Sequence, residues 1–167
     1  PLEGFRYFKA GTRTVDDAGL AQVDGVYYSA LPALLGSKVQ IRVYAGEIEI
    51  RDASGRLLRR HAKGKRKGQF VLEEKDRIYN PTRESTRLLN KAAKIGPKTE
   101  QLARTLFARL GRPGQRALYG LTNLPRTYSC AEIEAVCGRF LAADCVSYAA
   151  IRRALERQLA MAASPAA

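Results

Sequence analysis

The stretch that decides the fold is Lys38 to Lys67, KVQIRVYAGEIEIRDASGRLLRRHAKGKRK. Val39, Ile41 and Val43 alternate with Lys38, Gln40, Arg42 and Tyr44. A period of two means a strand with one face buried and one face wet. Ala45-Gly46 is a two-residue connection, with Gly46 free to take the positive φ of a tight hairpin. The return strand is Glu47 to Arg51, with Ile48 and Ile50 inward, and its register sets Arg42 opposite Glu49 on the wet face. Such a cross-strand pair stabilises by roughly 0.2–1 kcal/mol. Asp52-Ala53-Ser54-Gly55 is a second turn. The third strand, Arg56 to His61, carries doublets, Leu57-Leu58 and Arg59-Arg60, so a bulge or an edge position is expected.

The same stretch ends in the densest charge of the chain. Arg56 to Lys67 holds seven Lys/Arg and no carboxylate, with Gly64 and Gly68 as punctuation. Attraction within the run is impossible, so it needs outside anions or bulk water. It reads either as a solvated, flexible loop or as a phosphate-binding arm.

Working outward, 167 residues suffice for one full domain or two small ones, and 46% apolar residues suffice for a packed core. The net charge of +13 points to a polyanionic partner, most often nucleic acid, less often an anionic membrane surface. No apolar run approaches the ~20 residues of a spanning helix, so no membrane partner is expected. Pro1-Leu2-Glu3-Gly4 lacks the basic and apolar regions of a signal peptide, and the chain begins on Pro rather than Met. We expect it to start inside a longer protein. Cys130, Cys137 and Cys145 are odd in number and wrongly spaced for the usual zinc pairs. They read as small hydrophobes of a protein in a reducing, cytoplasmic compartment.

Before the deciding stretch, residues 1–11 form a lead-in segment whose Phe5, Tyr7 and Phe8 are free to pack on neighbouring structure. Short strands are expected at Thr12–Val15, Leu20–Val23 and Val26–Leu31, with turns at Asp16–Gly19 and Asp24-Gly25 and a stop at Pro32. About six short strands favour a small closed, or nearly closed, antiparallel barrel. After it, Arg83, Arg87, Lys91 and Lys94 make a basic stripe on a helix over about 82–95, entered through Asn80-Pro81. Further helices follow: Leu102, Leu106, Phe107 and Leu110 line one; Leu118, Leu121 and Leu124 another. Ser129 and Glu132 make a capping box, and Ser147 caps a last helix with Tyr148, Ile151, Leu155 and Leu159 inward. The fold class is therefore β + α. The expected division is a small antiparallel β-barrel over 1–62, a basic linker and helix over 63–97, and a helical domain over 98–167.

These residues resemble a known family. Arg13-Thr14-Val15, Val23-Asp24-Gly25, Tyr27-Tyr28-Ser29, Gly36 through Val43 and Arg60-His61 are similar to the post-catalytic barrel of IstA-type insertion-sequence transposases. Ile95-Gly96-Pro97, Tyr119-Gly120-Leu121 with Leu124, Ala135-Val136-Cys137 and Tyr148 through Arg157 resemble that family's helical tail. The resemblance covers nearly the whole chain. It implies a bacterial, nucleoid-associated DDE recombinase that works with an IstB-type helper ATPase and other transposase subunits in DNA transposition. One departure is Tyr28-Ser29-Ala30-Leu31-Pro32, where the family often has Tyr-Ser-Val-Pro. A DDE site needs three carboxylates holding two Mg²⁺ ions. In the family they precede the barrel, so none here inherits a catalytic role.

The expected function is a non-catalytic DNA-binding and scaffolding region. The residues expected on DNA are Arg56, Arg59, Arg60, Lys63, Lys65, Arg66, Lys67, Arg83 and Arg87. Contacts are expected to phosphates rather than base edges, because no reading helix is recognisable. The alternatives are a protein-docking module built on the helices, or a basic RNA-binding protein. An independent enzyme is disfavoured: His61, the single His, has no nearby carboxylate in sequence, and no P-loop, dinucleotide-binding glycine pattern or nucleophile motif is present. No cofactor or metal is expected.

Overall fold

The computed structural model describes residues 6–164. It divides into two compact units, Pro1–Ile78 and Tyr79–Ala167. Residues 63–78, expected in a linker, thus fold with the strands, and 79–97 fold with the helices.

The first unit contains β1 (Lys9–Thr14), β2 (Leu20–Val23), β3 (Val26–Ser29), β4 (Lys38–Val43), β5 (Glu47–Arg51), β6 (Leu57–Ala62) and β7 (Phe70–Val71). The ladders form two sheets, β1-β4-β5-β6 and β2-β3-β7, in place of one closed ring. Both sheets feed one core, with Tyr28, Val23 and Val26 meeting Val39, Ile41, Ile48 and Ile50. The expected alternation explains Val39 and Ile41, which are buried between exposed Lys38 and Gln40. In β3 all four residues are buried. Tyr28 faces the main core, while Tyr27 stacks on Phe70 at 5.1 Å between ring centroids and joins Ala18 and Leu20. A strand covered on both faces reads as an unbroken apolar run, which is why VYYS has no alternation. β7 pairs with β3 in parallel, an addition to the antiparallel scheme.

The turns follow their residues. Asp24 and Gly25 have φ of 50° and 80°, as a two-residue hairpin connecting right-twisted strands requires. Ala45-Gly46 closes β4–β5 through a bond from the Tyr44 N–H to the Glu47 carbonyl (2.9 Å), without Gly46 taking the expected left-handed φ. β6 is at the sheet edge and shifts register opposite Ile50/Arg51, so the edge and the irregularity signalled by its doublets both occur. Of the lead-in residues, Phe5 lies outside the described residues.

The second unit is helical: α1 (Arg83–Ile95), α2 (Pro97–Leu110), α3 (Gln115–Asn123), α4 (Cys130–Ala142) and α5 (Tyr148–Ala163). Thr82, rather than Asn80, caps α1, accepting from the Ser85 N–H at 3.0 Å. The Ser129–Glu132 capping box opens α4, and Ser147 caps α5, both as expected. Leu88, Leu102, Leu118, Leu121, Ile133, Cys137 and Ile151 form the core. Burial pushes the Cys137 thiol up to about 11, so it is an inert packing group. Cys130, expected to be buried on one helix face with Cys137, is exposed, as is Cys145. Leu159, expected inward, is 50% exposed.

α2 has no side-chain cap of its own, because Gly96 precedes it. Its free N–H groups are met from α4: the Glu134 carboxylate accepts from the Lys98 N–H (3.1 Å), the Thr99 N–H (2.6 Å) and the Thr99 hydroxyl (2.7 Å). A Cβ on Gly96 would come within 2.1 Å of the Glu134 carboxyl carbon, so glycine keeps this approach open. Burial alone would raise the Glu134 carboxyl, but the bonds from Thr99 and Lys98 outweigh it and hold it below its ordinary value.

Candidate nucleic-acid interface

The basic run separates into two chemically different parts. On β6, side chains share the sheet with the carboxylates of β5. Arg60 donates to Glu49 at 2.8 Å and lies 3.8 Å from Glu47. Glu49 is only 3% exposed, and Arg51 also donates to it (2.8 and 3.1 Å), as does the Tyr44 hydroxyl at 3.3 Å. Burial by itself would raise the Glu49 carboxyl, but the guanidiniums of Arg60 and Arg51 overcome that and lower it. The register does set Arg42 opposite Glu49. Their expected wet-face pair is replaced: Glu49 is buried against other arginines, and the Arg42 guanidinium lies 4.7 Å from the centre of the Phe8 ring.

Arg59 turns to the other side. Its guanidinium donates to both oxygens of Asp76, at 2.9 and 3.0 Å, and reaches the Ser29 hydroxyl (3.3 Å) and the Leu31 carbonyl (3.2 Å). This fork geometry is the strong form of the arginine–carboxylate contact. Hydrogen bonding from Arg59 holds the Asp76 carboxyl at about 2, against the opposing effect of burial. Arg59 is thus a structural cation. His61 is structural too: its Nε2 lies 2.7 Å from the Ser29 carbonyl, so that nitrogen carries the proton and donates. Burial lowers the His61 pKa. Arg56 is exposed and 3.3 Å from Asp52.

Beyond Ala62 the chain leaves the ladder, and the loop 63–69 is pinned by its backbone. The Lys63 N–H donates to the Gly46 carbonyl (3.0 Å), the Gly64 N–H to the Tyr28 hydroxyl (2.8 Å) and the Gly68 N–H to the Gly25 carbonyl (2.7 Å). The Gln69 side-chain oxygen accepts from the N–H groups of Lys65 (2.9 Å) and Arg66 (3.4 Å). Gly64 lies so close to Val26 that a Cβ would meet its methyl at 2.6 Å. With the backbone held inward, the side chains of Lys63, Lys65, Arg66 and Lys67 are exposed, and none makes an ion pair with a described residue. The run is a folded loop with four unneutralised cations.

In the second unit the α1 stripe is exposed at Arg83, Arg87, Lys91 and Lys94. Arg87 is held by Glu84 at 2.5 Å, and the Tyr119 hydroxyl also donates to Glu84. These contacts, Arg87 first, draw the Glu84 carboxyl down to about 2. Among the described residues no carboxylate forms an ion pair with Arg83. Among the described residues no cluster of three His, Cys, Asp or Glu has metal-binding geometry, and no helix is long and apolar enough to cross a membrane.

Sequence reasoning missed an aromatic cleft at the head of β1. Phe8 and Tyr44 lie 5.5 Å apart with rings tilted by 51°, and Arg6 lies 4.5 Å from the centre of the Tyr44 ring. Tyr44 reads as a wet-face residue but is buried. The available signal was the aromatic content of Tyr7-Phe8 in the lead-in segment.

Residues 1–73 match the family model described as Mu transposase, C-terminal domain. Over 166 residues, 95% of the chain, it is 24% identical to a Sinorhizobium fredii (strain NBRC 101917 / NGR234) protein named as a transposase. The chain spans 32% of the length of that relative. No solved structure matches it. Both matches support the expected resemblance to a C-terminal transposase fragment; neither carries the narrower IstA type.

Proposed function

We propose, taking that kinship to the C-terminal part of a transposase as the premise, that the chain is a non-catalytic DNA-binding and scaffolding region acting in DNA transposition. The observation that carries this is the pinned loop with Lys63, Lys65, Arg66 and Lys67 exposed and unneutralised. Preorganised cations meet phosphates without first being ordered, and phosphate contacts position a protein without reading sequence. Arg56 and Arg60 add charge on the same unit, and Arg83 and Arg87 on α1 are further DNA contacts of the second unit; Arg59 is turned inside the fold. Catalytic carboxylates and Mg²⁺ belong, on this reading, to other parts of a longer IstA-type protein. The test is duplex affinity at several salt concentrations for the chain with all four loop cations changed to Ala. Affinity falls at low salt alike for unrelated sequences, and the slope of log K against log salt shrinks by up to about 0.9 for each lost phosphate contact. Unchanged affinity and slope defeat the reading.

A second role has its own observation. On α5, Leu159 and Met161 are 50% and 77% exposed. The same helix also flanks a cleft lined by Phe140, Ala150, Arg153, Glu156, Arg157 and Ala160, which neither Leu159 nor Met161 lines. Exposed apolar side chains beside polar rims mark contact surfaces. We assign the exposed C-terminal end of α5, from which these two side chains project to different sides, to a protein partner, an IstB-type helper ATPase or another transposase subunit. Leu159→Glu with Met161→Glu then abolishes ATPase pull-down and leaves duplex binding intact; undiminished capture by the double variant removes the assignment.

A further inference from the structure

A cleft of about 320 Å³ opens beside the basic loop, walled by Tyr7, Phe8 and Tyr44 and rimmed by Lys9 and Lys63. Phe8 is 43% exposed. Its ring is paired with Tyr44 and attended by the Arg42 guanidinium, so it is held in place rather than loose. Lys9 and Lys63 are exposed and make no ion pair with a described carboxylate. Asp24 also lines the cleft. Lys63 and Asp24 line, too, the smaller cavity beneath Lys65, Arg66 and Lys67, so cleft and loop are contiguous.

We propose that this cleft takes an unpaired DNA base, and that the preferred ligand is duplex DNA carrying a single-stranded extension. The proposal rests on the DNA-binding reading of the loop and deepens it. Aromatic walls and a carboxylate disfavour a phosphate inside the cleft and suit a base, whose faces stack and whose exocyclic amine donates to a carboxylate. Cations at the rim suit the phosphates on either side of that base. Within a duplex both faces of each base are covered by its neighbours, so only an unpaired base offers a face to Phe8. A basic groove joined to an aromatic platform is the arrangement by which single strands are held. The surrounding excess of cations favours a polyanion over an apolar peptide as occupant.

The experiment uses the full chain and two ligands: a short blunt duplex, and the same duplex with a single-stranded adenine extension containing a fluorescent adenine analogue. The extended duplex binds about tenfold tighter at equal salt, from one or two stacked bases, and the analogue's emission is quenched by stacking. Phe8→Ala removes both gain and quench, so the two ligands bind alike; Phe8→Tyr, which keeps an aromatic face, retains both. Equal affinities with no quench in the native chain overturn the proposal, and so does a full gain in Phe8→Ala. Should Phe8→Ala fail to fold, the native quench and the Phe8→Tyr result decide alone. Failure of the loop reading looks different: neutralising the four loop cations then leaves blunt-duplex binding unchanged, whatever the extension does.

Discussion

Arg59 and Arg60 on β6 and Lys63, Lys65, Arg66 and Lys67 in the following loop belong to one run of charge, yet the fold treats them oppositely. The two β6 arginines are met by carboxylates of other elements, Arg59 by Asp76 and Arg60 by Glu49, whereas Arg56, just before the strand, has only its exposed local pair with Asp52. The loop cations meet none among the described residues. The cause is the ladder. A residue on β6 inherits the carboxylates of β5 by register, and Asp76 arrives where the chain returns at 73–76. A residue in the loop has its backbone pinned to Gly25, Tyr28 and Gly46 and its side chain turned to solvent. Charge density in sequence therefore counts cations; which of them remain free to act on a partner is decided by pairing over long separations.

The contrast breaks most visibly at Arg59. Arg59→Met removes the guanidinium and leaves Asp76, 4% exposed, without its ion-pair partner. Breaking a buried pair from one side costs about 3 kcal/mol or more, read as a fall in the urea midpoint. Each loop lysine changed to Ala stays within about 0.5 kcal/mol. Similar small costs at both places would erase the distinction between structural and free cations.

Acid sharpens the same comparison. The Asp76 carboxyl is lowered from 3.8 to about 2 in the folded state, chiefly by Arg59. Its contribution to stability is complete above about pH 4 and is lost as the pH falls from 4 towards 2, because the unfolded chain takes the proton first. That contribution is roughly 2 kcal/mol. Asp76→Asn flattens the acid limb of a stability–pH curve, whereas the loop variant keeps the native limb. A native-like acid limb in Asp76→Asn would assign the loss to other carboxylates.

A smaller effect in the helical unit asks whether long-range carboxylates act in the same way there. Glu134→Ala deprives α2 of its cap at Lys98 and Thr99, costing about 1 kcal/mol. Gly96→Ala pushes the carboxylate aside and produces a similar loss. No change in thermal midpoint for either variant would mean that water satisfies those N–H groups equally well.

Much of this fold was legible in local pattern. Val39, Ile41, Ile48 and Ile50 point inward as period two requires, and Asp24-Gly25 makes its hairpin. Ser129, Ser147 and the β6 irregularity also follow from their residues. What was hidden depends on partners distant in sequence. Arg59 and Asp76 are 17 residues apart, Thr99 and Glu134 35, and Tyr28 and Gly64 36. No spacing rule links them. Glu49 misleads for a different reason: its strand position is right, but the nearby Arg51, Arg60 and Tyr44 gather over it and bury it, which alternation alone does not encode. The two-sheet arrangement and the parallel β7 depend on where the chain returns after the loop, which local periodicity does not encode. At the candidate site, the four loop cations were legible as charge. Their preorganisation by Gln69 and Tyr28, and the aromatic cleft beside them, were not.

The central claim is that the loop cations act outward and the β6 arginine inward, and one measurement sets them side by side. Duplex affinity is titrated against salt for three chains: native, Arg59→Lys, and the quadruple Ala variant of Lys63, Lys65, Arg66 and Lys67. Arg59→Lys keeps one positive charge but loses the fork to Asp76. The account predicts a native salt slope with reduced stability for Arg59→Lys, and a shallower slope with native stability for the quadruple variant. A shallower slope for Arg59→Lys, with the quadruple variant matching the native chain, would contradict it.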